Sequence, residues 1–426
     1  MTDIVFTDVR ILDGSGEQPF AGEVRISGDR INAIARNNDR VDRYNADVID
    51  GHGKTLMPGL VESHGHLTFG DTATPAELGD IPPEEHMVMA MENAVKILDH
   101  GFTSVNSAAS GKPRLDVVMR NAINGGRFPG PRILAASPEM TVTSGLGDEN
   151  LPHVERMSFA VVCDGPDEFR HVAREMVKYG VDTLKINPSG DEFVPHARAG
   201  QTVMSEEEIA AVCEVAQQRG KRVAAHARSA DSVKLCVKHG VEIIYHATLC
   251  DDEALAALES ARDWVFVAPT LGITHTTLYE AETWGITTEA ATNLGMKAEL
   301  DRAVINMKEL KARGVRVLPG GDYGFAWNPI GTNARDIKHF VDYLGFTAME
   351  AIESATRLGG EIMMQGHELG QIKEGFIADV LLVDGDPLTD VSMLVDADRL
   401  SAIVKGGAFH KQPNDRASTR GIRAFA

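Results

Sequence analysis

Between residues 56 and 360 the chain alternates short apolar runs with amphipathic stretches, and this rhythm restricts the folds open to it. Eight runs read as strands. They end near Val61-Glu62, Thr103-Ser104-Val105, Arg132-Ile133-Leu134-Ala135, Thr183-Leu184-Lys185-Ile186, Arg222-Val223-Ala224-Ala225-His226, Ile243-Ile244-Tyr245-His246, Val265-Phe266-Val267-Ala268 and Arg316-Val317-Leu318-Pro319. Helical patterns lie between them. Met87, Met91, Ala94, Val95 and Leu98 recur at three- and four-residue spacing. Ser205-Glu206-Glu207-Glu208 is a capping-box signature for a helix stopped at Gly220, and Thr347-Ala348-Met349-Glu350 opens another. Eight such units in about 300 residues predict an α/β fold, a (β/α)₈ TIM-like barrel over residues 56–365. A doubly wound open sheet is the alternative.

Outside this segment the texture is different. Residues 1–55 read as short strands, Ile4-Val5-Phe6, Val9-Arg10-Ile11-Leu12, Glu23-Val24-Arg25-Ile26 and Ile31-Asn32-Ala33-Ile34, separated by turn signals such as Asp13-Gly14 and Ser27-Gly28-Asp29. Strand texture returns in residues 366–426, at Leu369-Gly370-Gln371-Ile372, Ala378–Val383 and Ala402-Ile403-Val404. A small β-sandwich built from both chain ends, with the barrel inserted, accounts for this symmetry. The polar tail from Lys411 to Ala426 is expected to be loosely ordered or to serve as an oligomer contact.

The 426 residues carry 42 Lys and Arg against 62 Asp and Glu, a formal charge of −20. That balance argues against nucleic acid or an anionic membrane surface as a partner. It says nothing about the charge of a substrate. Cys163, Cys213, Cys236 and Cys250 form no CxxC pair and read as free thiols of a reducing compartment. The N-terminus lacks a basic segment followed by an apolar one, and no stretch reaches the roughly 18 apolar residues of a membrane span. A cytoplasmic protein is expected.

In a barrel of this type the active site lies at the carboxyl ends of the strands. The first predicted strand ends in His64-Gly65-His66, and residues two apart on a strand face the same way. The fourth ends in Lys185, the fifth in His226 and the sixth in His246. The eighth leads into Asp322 through Pro319-Gly320-Gly321. Any one of these would ordinarily be a loop or capping residue. Six metal-ligand or ionisable residues in register, from His64 to Asp322, point instead to a metal centre. Lys185 needs its own account, because an ammonium cannot ligate a metal. A lysine that has added CO₂ is a carbamate, whose two oxygens can bridge two ions; pairing with a nearby carboxylate is the alternative.

With these residues in place, the chain resembles the amidohydrolase superfamily of metal-dependent hydrolases. The likeness is carried by Val9-Arg10-Ile11-Leu12-Asp13-Gly14, by Leu56–Leu67 with its His64-Gly65-His66, by Pro129-Gly130-Pro131-Arg132-Ile133-Leu134 and by Gly370–Pro387. It implies two divalent ions, zinc above all. His64, His66 and Asp322 would hold the buried ion, and His226 and His246 the more exposed one. Carbamylated Lys185 and a hydroxide would bridge them, with Asp322 as the proton shuttle. Within the superfamily the chain is most similar to the dipeptidase and carboxypeptidase-like branch, which cleaves amides next to a free carboxylate and includes hydrolases of ochratoxin A. Ala94–Val105 and Thr143-Ser144-Gly145-Leu146-Gly147-Asp148 support that placement. Two departures are visible: Asn106-Ser107 replaces a frequent Arg-Asp, and Leu146 replaces a histidine, which makes the expected pocket more apolar.

Arg228 is the candidate for gripping a substrate carboxylate, since a guanidinium binds one bidentately; a salt bridge at the barrel rim is the alternative. His153 and His275 fall on expected top-face loops, where a surface histidine without a role is equally ordinary. The expected activity is hydrolysis of the amide bond of a small-molecule N-acyl amino acid or dipeptide, ochratoxin A included, by a homo-oligomer extending to an octamer. Two rivals stand beside it. One is a deaminase or cyclic-amide hydrolase of the imidazolonepropionase kind, which needs no lysine on strand four. The other is an inactive barrel serving as a binding subunit.

Overall fold

The computed structural model describes residues 2–413; the part of the expected tail from 414 onward lies outside the described residues. The N-terminal segment supplies β1 (Asp3–Ile11), β2 (Phe20–Ser27), β3 (Arg30–Arg36), β4 (Ala46–Asp50) and β5 (Thr55–Pro58). The middle supplies β6 (Leu60–Gly65), β7 (Phe102–Ser107), β8 (Arg132–Leu134), β9 (Ala136–Thr141) and β10 (Ala160–Val162). It continues with β11 (Thr183–Ile186), β12 (Arg222–Ser229), β13 (Ile243–Leu249), β14 (Phe266–Ala268) and β15 (Arg316–Val317). The chain closes with β16 (Val380–Val383), β17 (Leu400–Lys405) and β18 (Ala408–Lys411).

The middle segment is an α/β body of parallel strands. One sheet has seven strands in the order β10-β9-β11-β12-β13-β14-β15, and a second has three in the order β6-β7-β8. All pairings in both are parallel. The strand read as ending at Ala135 is β8, and after a break there the chain forms a further strand, β9, that the sequence reading does not include. The break is stabilised by carboxylates: Asp182 accepts from the Ala135 amide at 2.8 Å, and Asp116 from the Ala136 amide at 3.1 Å. Each backbone donor freed by leaving the ladder thus keeps a partner. At the other end, Gly65 of β6 forms a parallel bridge with Tyr323, just beyond β15.

Helices separate the strands where the apolar periodicity places them. The 84–99 pattern is the helix Pro83–Asp99, and both expected capping boxes are formed, at Ser205 with Glu208 and at Thr347 with Glu350. The core runs through both halves of the body as one large apolar cluster. All four cysteines are free thiols. Among the described residues no helix is long and apolar enough to cross a membrane.

The terminal segments meet in a single eight-stranded sheet, β18-β17-β16-β5-β1-β2-β3 with β4 beside β1. The expected strands at 4–6 and 9–12 are one strand, β1, irregular between Phe6 and Val9 where Asp8 takes a positive φ of 49°. The Leu369–Ile372 stretch is not a strand. Rather than two separate sheets, this one sheet is curled. Phe6 of β1 and Phe409 of β18 would lie roughly 19 Å apart across four flat strand spacings; their ring centroids are 6.3 Å apart. Because β5 belongs to this sheet, the terminal unit extends past the expected boundary at 55. After Gly59 it passes directly into β6, the strand that carries His64.

Candidate active site

The carboxyl ends of the parallel strands gather the six residues singled out in the sequence. His64 and His66 leave β6 with their Nε2 atoms 3.2 Å apart. The Asp322 Oδ1 lies 3.1 Å from the His66 Nε2 and 3.6 Å from the His64 Nε2. A glycine makes this approach possible, for a Cβ on Gly320 would lie 2.8 Å from both the amide nitrogen and the Cβ of His64. The His246 ring is 5.5 Å from that of His64, and the His226 ring 4.2 Å from that of His246. The Lys185 Nζ sits 4.4 Å from the centre of the Tyr245 ring, whose other neighbour is His64 at 3.9 Å. All four imidazoles and Lys185 are buried.

The backbone is strained where the site is built. His246, Ala247, Thr270 and Asp322 all have positive φ, at 73°, 50°, 59° and 59°. For residues with a Cβ that conformation costs energy and persists only when the surroundings impose it.

Burial lowers the His64, His226 and His246 imidazoles, His226 to about 3, so that they stay neutral and offer a lone pair. Burial alone would raise the Asp322 carboxyl, but His64, His66 and Arg228 hold it well below the usual carboxylate range. Burial also lowers Lys185 against the attraction of Glu139 and Asp322. The neutral amine this favours is the form that adds CO₂.

The hydrogen bonds fit a metal centre. The hydroxyl of Thr270 donates to the Pro269 carbonyl at 2.7 Å and faces the His246 Nδ1 at 2.6 Å. That arrangement puts the imidazole proton on Nδ1 and leaves Nε2, buried and without a hydrogen-bond partner, as the free donor. The His226 Nε2 faces the Gly190 carbonyl at 3.0 Å, which leaves Nδ1 for a ligand. The two Nε2 atoms and the Asp322 oxygen form a triangle with sides of 3.2, 3.1 and 3.6 Å. An ion at its centre would be about 2 Å from each corner, as zinc is from nitrogen and oxygen ligands. These three form the group among the described residues with donor atoms close enough to share one ion.

Of the two readings of Arg228, the structure shows the salt bridge. Its Nε and one terminal nitrogen contact Asp191 at 2.9 Å, and the other terminal nitrogen pairs with Glu299. All three side chains are buried. The guanidinium already holds two carboxylates of its own chain, and these occupy the fork a substrate carboxylate would need. His275 sits within the helix Leu271–Tyr279, bonded to the Tyr343 hydroxyl at 2.7 Å and paired with Glu280 at 3.3 Å. His153 is exposed on the loop after β9. Leu146 is half-buried, and its carbonyl accepts from Asn187 at 3.1 Å.

Sequence reasoning missed the polar layer behind the ligands. Glu62 accepts from the His64 amide at 2.8 Å and from the Asn333 side chain at 2.7 Å; burial pushes its carboxyl up to about 8. Asp336 accepts from the Gly320 amide at 3.0 Å. Together they fix the loops bearing His64 and Asp322. Glu62 carried a signal, since it shares the two-residue period of His64 and His66.

Comparison with known proteins agrees with this geometry. A family model described as "Amidohydrolase family" matches residues 55–409. Ochratoxinase of Aspergillus niger is 24% identical over 432 residues, spanning 95% of this chain and 85% of its own. A solved prolidase complexed with N-methylphosphonate-L-proline superposes with a TM-score of 0.86 at 27% identity, over 96% of this chain and 100% of that one. A Xaa-Pro dipeptidase with methionine bound in its active site gives 0.84 at 26% identity, again over 96% and 100%.

Proposed function

The chain belongs to the amidohydrolase family, and from that premise we propose that it hydrolyses the amide bond of an N-acyl amino acid or dipeptide bearing a free carboxylate, ochratoxin A among the candidates. Membership implies a TIM-like α/β barrel. We read β6, β7, β8 with β9 in one position, and β11 to β15 as its eight-membered ring, with β10 beside β9 outside it and the Gly65–Tyr323 bridge closing it. The curled terminal sheet is then the companion domain.

The observation that carries the reading is the meeting of four buried imidazoles, Asp322 and a buried Lys185 at one set of strand ends. In this reading His64, His66 and Asp322 would hold one divalent ion and His226 and His246 a second, zinc in both cases, with Lys185 contributing as its carbamate. Such ions, when bound, make water a nucleophile near neutral pH and polarise the scissile carbonyl. The chain does the rest. Thr270 and the Gly190 carbonyl orient the two imidazoles of the second ion. Asp322, beside the His66 Nε2, accepts the proton of the attacking water and delivers it to the leaving nitrogen as the C–N bond breaks. The polar layer of Glu62, Asn333 and Asp336 keeps the ligand loops from shifting. Support for the substrate class comes from relatives whose names refer to ochratoxin and to proline dipeptides.

The test joins metal analysis with a screen of N-acyl amino acids and dipeptides, ochratoxin A included. Two ions per chain and chelator-sensitive release of a free amino acid are expected. A metal-free protein, or turnover confined to cyclic amides or amino-heterocycles, would overturn the reading.

A further inference from the structure

From the ligand cluster a series of aromatic rings leads outward. His66 stacks on Phe69, centroids 4.0 Å apart and planes 18° from parallel. Phe69 meets Phe325 edge-on at 5.9 Å and Phe159 at 5.7 Å. Phe325 stacks on Trp327 at 5.8 Å, and Trp327 meets Phe193 at 6.4 Å. Phe69 and Phe159 are buried, Phe325 is half-buried and Phe193 is 42% exposed. The series therefore starts on a ligand and ends in solvent.

Its members come from separate loops, all at the carboxyl ends of strands: Phe69 after β6, Phe159 after β9, Phe193 after β11, and Phe325 and Trp327 after β15. The rings pack into two small apolar clusters, one around Phe69 and Phe159 and one around Trp327, and half-buried Phe325 joins both. The wall is also built tightly. A Cβ on Gly324, which has a φ of 137°, would lie 2.6 Å from the Phe69 Cβ, so only glycine lets the last loop pass there. The Trp327 Nε1 donates to the Thr277 hydroxyl at 2.9 Å, which fixes the plane of the indole.

We propose that this aromatic wall is the specificity surface of the site, and that it selects substrates carrying an aromatic ring on one side of the scissile amide. The inference rests on the amide-hydrolase reading above and deepens it. A ring laid against half-buried Phe325 and exposed Phe193 removes apolar surface from water and adds offset or edge-to-face contacts. A methyl group in the same place gains little of either.

The test uses the metal-loaded enzyme and small amides with the ring on either side: N-benzoylglycine, N-acetyl-L-phenylalanine and, as the ring-free reference, N-acetylglycine. At least one ring-bearing substrate should exceed the reference in kcat/KM by about tenfold or more. Phe325→Ala should erase most of that advantage through KM, and Phe325→Leu should restore part of it. A second readout needs no turnover. Of the three tryptophans, Trp264 and Trp284 are replaced by Phe, so that Trp327 alone reports binding by its fluorescence. Benzoate should quench it saturably where acetate does not, and Phe325→Ala should weaken that quenching. Equal kcat/KM for ring-bearing and ring-free amides, or parallel losses on both in Phe325→Ala, would overturn the wall's role. If no amide is turned over, the hydrolase reading fails, and the benzoate titration still decides the wall: saturable, Phe325-dependent quenching supports it, and its absence removes it.

Discussion

Lys185 is the residue on which the proposed two-ion arrangement turns. Its position, 4.4 Å from the centre of the Tyr245 ring, puts the amine beside the ligand cluster, where its carbamate could bridge two ions and its ammonium could not bind one. Lys185→Ala should therefore lose metal, falling below two ions per chain by elemental analysis, with activity down at least a hundredfold. Short carboxylic acids should restore part of both; unchanged metal content would remove the bridging role. For Arg228 the salt bridge, the second of its two sequence readings, sets the expectation. Cutting it to Ala leaves Asp191 and Glu299 buried without their cation, which should cost about 3–5 kcal/mol of stability. Losses in kcat/KM should be equal on substrates with a free carboxylate and on their primary amides, because the guanidinium is already committed. A selective loss on the free acids would restore it as the anchor. The contrast shows what a single sequence can reveal at this scale. His64, His66, Lys185, His226, His246 and Asp322 were visible because strand ends can be located and each has a ligand-type side chain. The partners of Arg228 were not, because Asp191 and Glu299 are distant in sequence and only the packing of the helix Met296–Ala312 against β13 brings the second one in.

At the scale of elements, periodicity placed the strands and capping signatures placed the helix starts. The strand read as ending at Ala135 is β8, but its continuation after a break as β9 went unread, and that has a physical cause. Propensity and pattern cannot reveal that a ladder will be interrupted when the replacement acceptors, Asp116 and Asp182, belong to other elements. Asp116 also links this break to pH. Burial raises its carboxyl to about 6 from an ordinary 3.8, against the hydrogen bonds from Ser107 and Ala136. Between those values the folded chain holds a proton that the unfolded chain has released. Stability from this group is thus complete below pH 3.8, falls as pH rises to about 6 and is level above it. The loss is about 3 kcal/mol. Asp116→Asn keeps an oxygen for the Ala136 amide and removes the titration. Denaturant unfolding across that window should fall less steeply with pH in the variant than in the parent. Identical slopes would show that Asp116 ionises normally.

For the whole molecule, the question is whether the terminal sheet merely accompanies the body or shares its stability. The covalent path argues for sharing: β5 pairs with β16 and β1, and after Gly59 the same chain becomes β6 and then the ligands His64 and His66. Side chains cross the same seam. Arg132 of β8 grips Asp379 at 3.2 and 3.1 Å, and the Lys405 Nζ donates to the Gly130 carbonyl at 2.6 Å. Asp379 is buried and also accepts from the Gly406 amide, whereas Arg132 is partly exposed, so solvent moderates the loss when the pair is broken. Two consequences can be measured. Unfolding followed by far-ultraviolet circular dichroism and by tryptophan fluorescence should give one coincident transition, even though Trp264, Trp284 and Trp327 all lie between β13 and β16. Asp379→Ala should lower stability by about 2 kcal/mol and so move that single midpoint down, and loading with zinc should raise it, since ions bound at His64 and His66 would stabilise everything that unfolds with β6. Two separated transitions, with zinc shifting only the one reported by tryptophan, would mean that the terminal sheet folds on its own and that β6 does not transmit its stability to the metal ligands.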